Sequence, residues 1–128
     1  MNDSSKPITG IHAYVLPYIE SMGDLSGKTV LDIPSGDGRA SIAFKKQGAS
    51  IISLDIFPRE NKSYTSEYGD MSAELNIDDK TVDIIICQEG IEHVSDQYKL
   101  LKEFNRILKK GGELIITNFS GQRIQHSG

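Results

Sequence analysis

A few side chains carry the residue types and spacing that could do chemistry in this chain. Asp32 lies within a short apolar run, Val30, Leu31 and Ile33, and Pro34-Ser35-Gly36-Asp37-Gly38 turns the chain directly after it. Glycines two apart permit positive φ and let a ligand meet bare backbone. Asp55 closes a second apolar run, Ser50 to Asp55. An acid about 20 residues beyond a glycine turn is the usual partner of a ribose diol, because a carboxylate can accept from both hydroxyls. Asp70 and Met71 follow a further break at Gly69. Gln88, Glu89, Glu92 and His93 crowd the stretch after a third apolar run, Val82 to Cys87. An imidazole with an intrinsic pKa near 6.5 suits a general base, so His93 is the first candidate and Glu92 and Glu89 come next. The plainer alternative is that Glu92 and His93 only brace the loop or cap the next helix. His12 could face the same mouth, and His126 in the polar tail carries no argument.

The elements that must position these residues can be read from periodicity. The run Val30, Leu31 and Ile33, interrupted by Asp32, is long enough for a buried strand and too short for a helix. Ala40, Ala43 and Phe44 then fall on a helical pattern, with Lys45 and Lys46 in its last turn and Gly48 as its stop. Strand, glycine turn and helix together make a site for a nucleotide-like ligand, whose polar or anionic groups the helix amides favour. Upstream, Met1–Gly10 reads as a loose arm. Ile11 to Met22 has helical spacing interrupted by Pro17, which predicts a kink or a helix that begins there. Phe57 to Ser63 is too short for a full helix, and Tyr64 to Tyr68 reads as a weak edge strand. Val82 to Cys87 reads as a central strand buried on both faces. Gln88 to Val94 is its exit loop and Ser95 the expected N-cap. A helix is predicted to about Leu108, burying Leu100, Leu101, Phe104, Ile107 and Leu108, with Lys109 and Lys110 at its end and Gly111-Gly112 as its stop. Glu113 to Thr117 is a fifth strand, and Asn118 to Gly128 shows no clear element. Strands alternating with helices predict an α/β fold with a parallel sheet. Gly36, Gly38, Asp55, Asp70, Gln88 and Glu92 then all fall at or just after strand ends, where such sheets bind ligands.

Composition narrows the function classes. A chain of 128 residues predicts one domain, divided here into an arm and helix (1–27), a core (28–118) and a tail (119–128). A net charge of -4 without a basic patch argues against nucleic acid as partner. Ile84-Ile85-Ile86-Cys87 is the longest apolar run, far too short to span a membrane, and MNDSSKPITG has no apolar core like that of a signal peptide. Cys87 is the single cysteine, which excludes an internal disulfide and points to the cytoplasm. It reads as strand packing rather than a nucleophile. No His/Cys cluster suggests a metal.

Taken together, the pattern resembles the class I S-adenosylmethionine-dependent methyltransferases. VLDIPSGDGRAS is similar to their first motif, LDIF to the acid ending strand two, and GDMSAEL to the segment that meets the adenine. VDIIICQEGIEHVSD with LLKEFNRILKKGGELIIT resembles their fourth-strand motif and the helix-glycine-strand block after it. The match runs from about Lys28 to Asn118. It implies a Rossmann-like, doubly wound, mainly parallel sheet of about five strands and S-adenosylmethionine as cofactor. It further implies that Asp32, Pro34, Gly36 and Gly38 hold the methionine end, that Asp55 binds the ribose, that Ile56 lies against the adenine, that Asp70 and Met71 meet it, and that Gln88 lines the sulfonium end. Pro34 and Ser35 depart from the glycine and cysteine of many members. The family sheet usually closes with a C-terminal hairpin, for which Asn118 to Gly128 is too short. The chain is therefore expected to be truncated after strand five, or to have that strand covered by a second copy or a partner. The implied reaction is methyl transfer to a small-molecule or glycan-type acceptor. A non-catalytic binding module and, less favoured, an NAD-binding Rossmann protein are the alternatives.

Overall fold

The computed structural model describes residues 12–117 and the backbone of 123–127, with side chains described over 14–117. The arm at Met1–Gly10 and the side chains of His12 and His126 lie outside the described residues. The element order is α1 (His12–Ser21), β1 (Thr29–Asp32), α2 (Arg39–Lys46), β2 (Ser50–Asp55), β3 (Glu67–Tyr68), β4 (Val82–Gln88), α3 (Gln97–Ile107), β5 (Leu108–Thr117) and β6 (Arg123–Ser127). They form one six-stranded sheet in the order β3-β2-β1-β4-β5-β6. The first five strands are parallel, as expected, while β6 runs antiparallel to β5.

That last strand corrects the reading of the tail as lacking any element. Thr117 pairs with Arg123 and Glu113 with Ser127, so the outer edge of β5 is occupied by the chain itself. The expected cover of strand five by a second copy or a partner loses its premise. Alternation of apolar and polar residues is weak in RIQHS, and pairing to an existing edge, rather than its own pattern, makes it a strand.

The core divides by the two-residue period of the strands. Ile84 and Ile86 of β4, Val30 of β1 and Ile115 of β5 pack with Val15 and Ile19 of α1 and Phe44 of α2. Ile85 and Cys87, Leu31, Leu114 and Ile116 pack with Leu100, Phe104 and Ile107 of α3 on the other face. The expectation that Val82–Cys87 is central and buried on both faces holds. So does the strand at 50–55, and the run from Val30 to Ile33 forms a strand over Thr29–Asp32, one residue earlier.

Several boundaries differ from the sequence reading. α1 begins five residues before Pro17 and runs through it to Ser21, because Val15 and Ile19 are wholly buried and anchor it. The N-cap of α3 is Asp96, whose side chain accepts from the Lys99 N–H at 3.0 Å, and not Ser95. α3 ends at Ile107, and Leu108 pairs with Val82. Lys109 to Gly112 is then a bulge inside β5, where the register jumps from Val82–Leu108 to Ile84–Glu113, and Gly111 takes a φ of 82°. The helix end is pulled straight into the sheet because the amides of Lys80 and Thr81 bond Arg106 O and Ile107 O at 2.9 Å. Leu101, expected in the buried face, is 38% exposed, one helical step off the Leu100–Phe104–Ile107 line. The weak strand expected at Tyr64–Tyr68 shrinks to Glu67–Tyr68.

Candidate functional site

β1 has β2 on one side and β4 on the other. The order of strand addition reverses there, and in such sheets the crevice beyond the carboxyl ends of these strands is where ligands bind. The turn after β1 forms its floor. A cis peptide joins Ile33 to Pro34, and Gly36 and Gly38 sit at φ of 54° and 85°, a region that disfavours residues with a Cβ. The turn is tied to β2 twice. Ser35 N–H donates to Leu54 O at 2.9 Å, and Gly36 N–H donates to Asp55 Oδ2 at 2.9 Å. Asp55 Oδ1 accepts from Phe57 N–H at 2.9 Å. Each carboxylate oxygen offers two acceptor sites, so Asp55 can order the turn and still receive two hydroxyl donors.

In front of Asp55 lies a cleft of about 440 Å³, within the range of small-molecule sites. Its walls are Ile33, Pro34, Ile56, Phe57, Met71 and Val94, with Asp55 and Asp70 among them and Glu89 and His93 also lining it. Ile56 is 50% and Phe57 76% exposed, which leaves large apolar surface for a flat ring. Asp70 Oδ1 accepts from the N–H and hydroxyl of Ser72 at 2.8 and 2.7 Å, and these bonds hold its carboxyl below the usual range. Gly90 joins the loops. A Cβ there would lie 2.5 Å from Pro34 Cδ and 3.0 Å from Met71 Cε.

The cleft thus brings together Pro34, Asp55, Ile56, Asp70, Met71 and His93 of the expected residues. Asp32, Gly36, Gly38, Gln88 and Glu92 do not line it. Asp32 is buried behind the turn, where Ser41 Oγ donates to its Oδ2 at 2.6 Å and lies 2.7 Å from Ser53 Oγ. Its Oδ1 has no hydrogen-bond partner. Burial pushes its carboxyl up to about 7, against the Ser41 hydrogen bonds, and the charges of Asp37 and Asp55 add to the rise. Gln88 and Thr117 are paired across β4 and β5 and share the sheet face of Asp32. Gln88 Nε2, Thr117 Oγ1 and Glu92 Oε1 are likewise buried without a partner. Such groups are uncommon in proteins and each calls for an explanation.

Cys87 is wholly buried, and desolvation, with the negative charges of Asp32 and Glu92, pushes its thiol up to about 12. This agrees with a packing role. Among the described residues no group of three His, Cys, Asp or Glu is arranged to hold a metal ion, and no described helix is long and apolar enough to cross a membrane. Sequence reading missed Tyr64, Gly90 and Thr117. Only Gly90, between two acids after a strand, carried a local signal.

Residues 31–116 match the model of the methyltransferase domain family. The chain is 32% identical over 125 residues to a ubiquinone biosynthesis O-methyltransferase of Coxiella burnetii, covering 90% of this chain and 53% of that protein. It therefore spans about half the length of the curated relatives it matches. Among solved structures it resembles a Methanococcus maripaludis protein described as an S-adenosyl-L-methionine-dependent methyltransferase, with 26% identity, a TM-score of 0.67 and coverage of 86% of this chain and 57% of that one. It also resembles a chain of a Haloferax volcanii complex between the Trm112 methyltransferase activator and a methyltransferase, with 26% identity, a TM-score of 0.70 and coverage of 82% and 51%.

Proposed function

The chain belongs to the methyltransferase domain family, and from that premise we propose that its cleft binds S-adenosylmethionine as the cofactor half of a site that methylates a small-molecule acceptor. The observation that carries this reading is Asp55, which holds the Gly36 amide with one carboxylate oxygen while fronting an apolar-walled cleft of about 440 Å³. A nucleoside needs that combination: acceptors for a diol beside flat apolar walls. In this reading Asp55 takes the ribose hydroxyls, Ile56 and Met71 bracket the adenine, and Asp70 accepts from its amino group. Asp32 and Gln88 stand outside this cleft with Oδ1 and Nε2 buried, so in this reading they support the turn and the strand end behind the methionine end. Asp55, Ile56, Asp70 and Met71 fit the nucleoside half of the cofactor, and Pro34, Gly36 and Gly38 supply the backbone around its methionine end.

When bound, the sulfonium supplies a methyl group already attached to a good leaving group. The protein's own contribution is orientation and the exclusion of water. His93 lines the cleft and takes the role of base toward an oxygen or nitrogen acceptor. Glu92, whose Oε1 is buried and unpartnered, is the carboxylate alternative. The Coxiella relative is named for an O-methyl transfer in ubiquinone biosynthesis, which supports an oxygen acceptor on a small molecule. A glycan-type acceptor rests on loop resemblance alone. The buried single cysteine fits a reducing, cytoplasmic setting.

A second reading has one observation in its favour. The chain covers about half of its curated relatives, so in this reading it binds cofactor without turnover until another chain or segment completes the acceptor side; the Haloferax neighbour is itself in complex with a methyltransferase activator. Calorimetric titration with S-adenosylmethionine and S-adenosylhomocysteine tests the shared core of both readings. Binding near about 1 μM that Asp55→Ala abolishes supports it. A folded protein that takes up neither ligand refutes it.

A further inference from the structure

Between β2 and β3 a parallel crossover ordinarily carries a helix, yet residues 56–66 form none. A small hairpin stands there instead. Arg59 N–H donates to Ser66 Oγ at 2.9 Å and Ser66 N–H to Arg59 O at 2.8 Å. Glu60 bridges Thr65 in antiparallel fashion, and Asn61 N–H donates to Tyr64 O at 3.0 Å. Alternation along this hairpin turns Thr65 outward and Tyr64 and Ser66 inward, so that Tyr64 is 6% and Ser66 5% exposed.

Tyr64 lands on the glycine turn. Its hydroxyl donates to Ser35 Oγ, and its ring lies against Gly38 so closely that a Cβ there would overlap it. The β2 side of the turn is already held through Ser35 N–H and Gly36 N–H. Tyr64 adds two further contacts, at Ser35 Oγ and at Gly38, from the hairpin rather than from the backbone of β2.

We propose that Tyr64 is a positioning residue that locks the Ser35–Gly38 turn in the pose that receives the amino-acid half of the cofactor. The inference rests on the cofactor reading given above. It assigns to one side chain on a hairpin the bracing that a crossover helix would otherwise provide, and it gives Gly38 a second reason to be glycine beyond its positive φ.

The test compares two ligands that share the adenosine and sulfur and differ in the amino-acid part: S-adenosylhomocysteine, which has it, and 5′-methylthioadenosine, which lacks it. Calorimetry on wild type, Tyr64→Phe, Ser35→Ala and the double variant reads both affinities, with thermal unfolding as the check on folding. Tyr64→Phe is expected to weaken S-adenosylhomocysteine about three- to tenfold, the size of one neutral hydrogen bond, and to leave 5′-methylthioadenosine within about twofold. Ser35→Ala removes the other end of the same bond, so the double variant should be no weaker than either single one. Equal weakening of both ligands would mean general loosening and overturns the inference, as does no change in either. If wild type binds neither ligand, the cofactor reading itself fails and this inference falls with it. Wild-type binding of both without discrimination by Tyr64→Phe sinks the inference alone.

Discussion

Asp32 offers the sharpest measurement, because burial has set its ionisation against its neighbours. Its carboxyl rises from 3.8 to about 7 on folding. Each pKa unit is worth about 1.4 kcal/mol, so keeping Asp32 ionised costs the folded state on the order of 4 kcal/mol above pH 7. The sign follows from proton counts. Between the two pKa values the folded chain binds the proton and the unfolded chain does not, so the stability associated with neutral Asp32 is fully present below about pH 4 and is lost as pH rises through 7. Asp32→Asn keeps a carbonyl to accept the Ser41 hydroxyl but removes the charge. It also places an amide N–H where Oδ1 has no partner, at a pH-independent cost of about 1–3 kcal/mol. The difference in stability between variant and wild type should therefore shift by about 3 kcal/mol in favour of Asn on going from about pH 4.5 to about pH 8. Urea unfolding at both pH values, with m-values compared, reads this directly and cancels every other titrating group. A difference that stays constant within about 1 kcal/mol across that range would refute the argument that Asp32 is held neutral by burial.

Other changes probe the elements around the site. Gly38→Ala should destabilise the protein by about 2–4 kcal/mol, combining left-handed backbone strain with overlap on the Tyr64 ring. In a cycle with Tyr64→Ala the two costs should be less than additive, the shortfall being the overlap part, which urea unfolding of both single variants and the double would show. Arg106 uses its five guanidinium N–H groups on Glu103 (twice), Asp79, Ile77 O and Leu75 O to hold the loop that feeds β4. Arg106→Ala should cost about 2–3 kcal/mol, and Arg106→Lys should recover less than half, since an ammonium cannot reproduce the fork. Glu89 sits at a φ of 51° beside the cleft, so Glu89→Gly should raise the thermal midpoint by relieving about 1 kcal/mol of strain. An unchanged or lower midpoint would contradict that.

Part of the candidate cleft was legible along the chain. Each of β1, β2 and β4 announces itself as an apolar run, and in each case a candidate residue stands at or next to the end of that run: Asp32 and the glycine turn, Asp55, and Gln88 with the loop to His93. A short stretch of sequence encodes these because strand burial and turn chemistry are local demands. The cleft walls Pro34, Ile56, Asp70 and Met71 followed from the resemblance. The errors cluster where a tertiary contact overrode a local signal. Lys109-Lys110-Gly111-Gly112 has the composition of a helix end, yet the pull of β4 on Leu108 makes it a bulge. Ser95 and Asp96 are both acceptable caps, and only the helix's rotation onto the sheet selects Asp96.

What the sequence determined by itself was therefore the five parallel strands, the order of the loops that follow them and a nucleotide-like ligand, because hydrophobic periodicity and glycine placement are readable one segment at a time. What only the tertiary structure decided was how the pieces are held and ionised. Asp32 is buried behind the turn rather than open in the cleft, Tyr64 crosses from a hairpin to grip Ser35 and Gly38, and β6 covers β5 despite an unpromising pattern. Each of these depends on which surfaces meet after the chain has folded. Desolvation, a ring against a bare Cα and an unpaired strand edge are properties of pairs of segments, and no single segment records them.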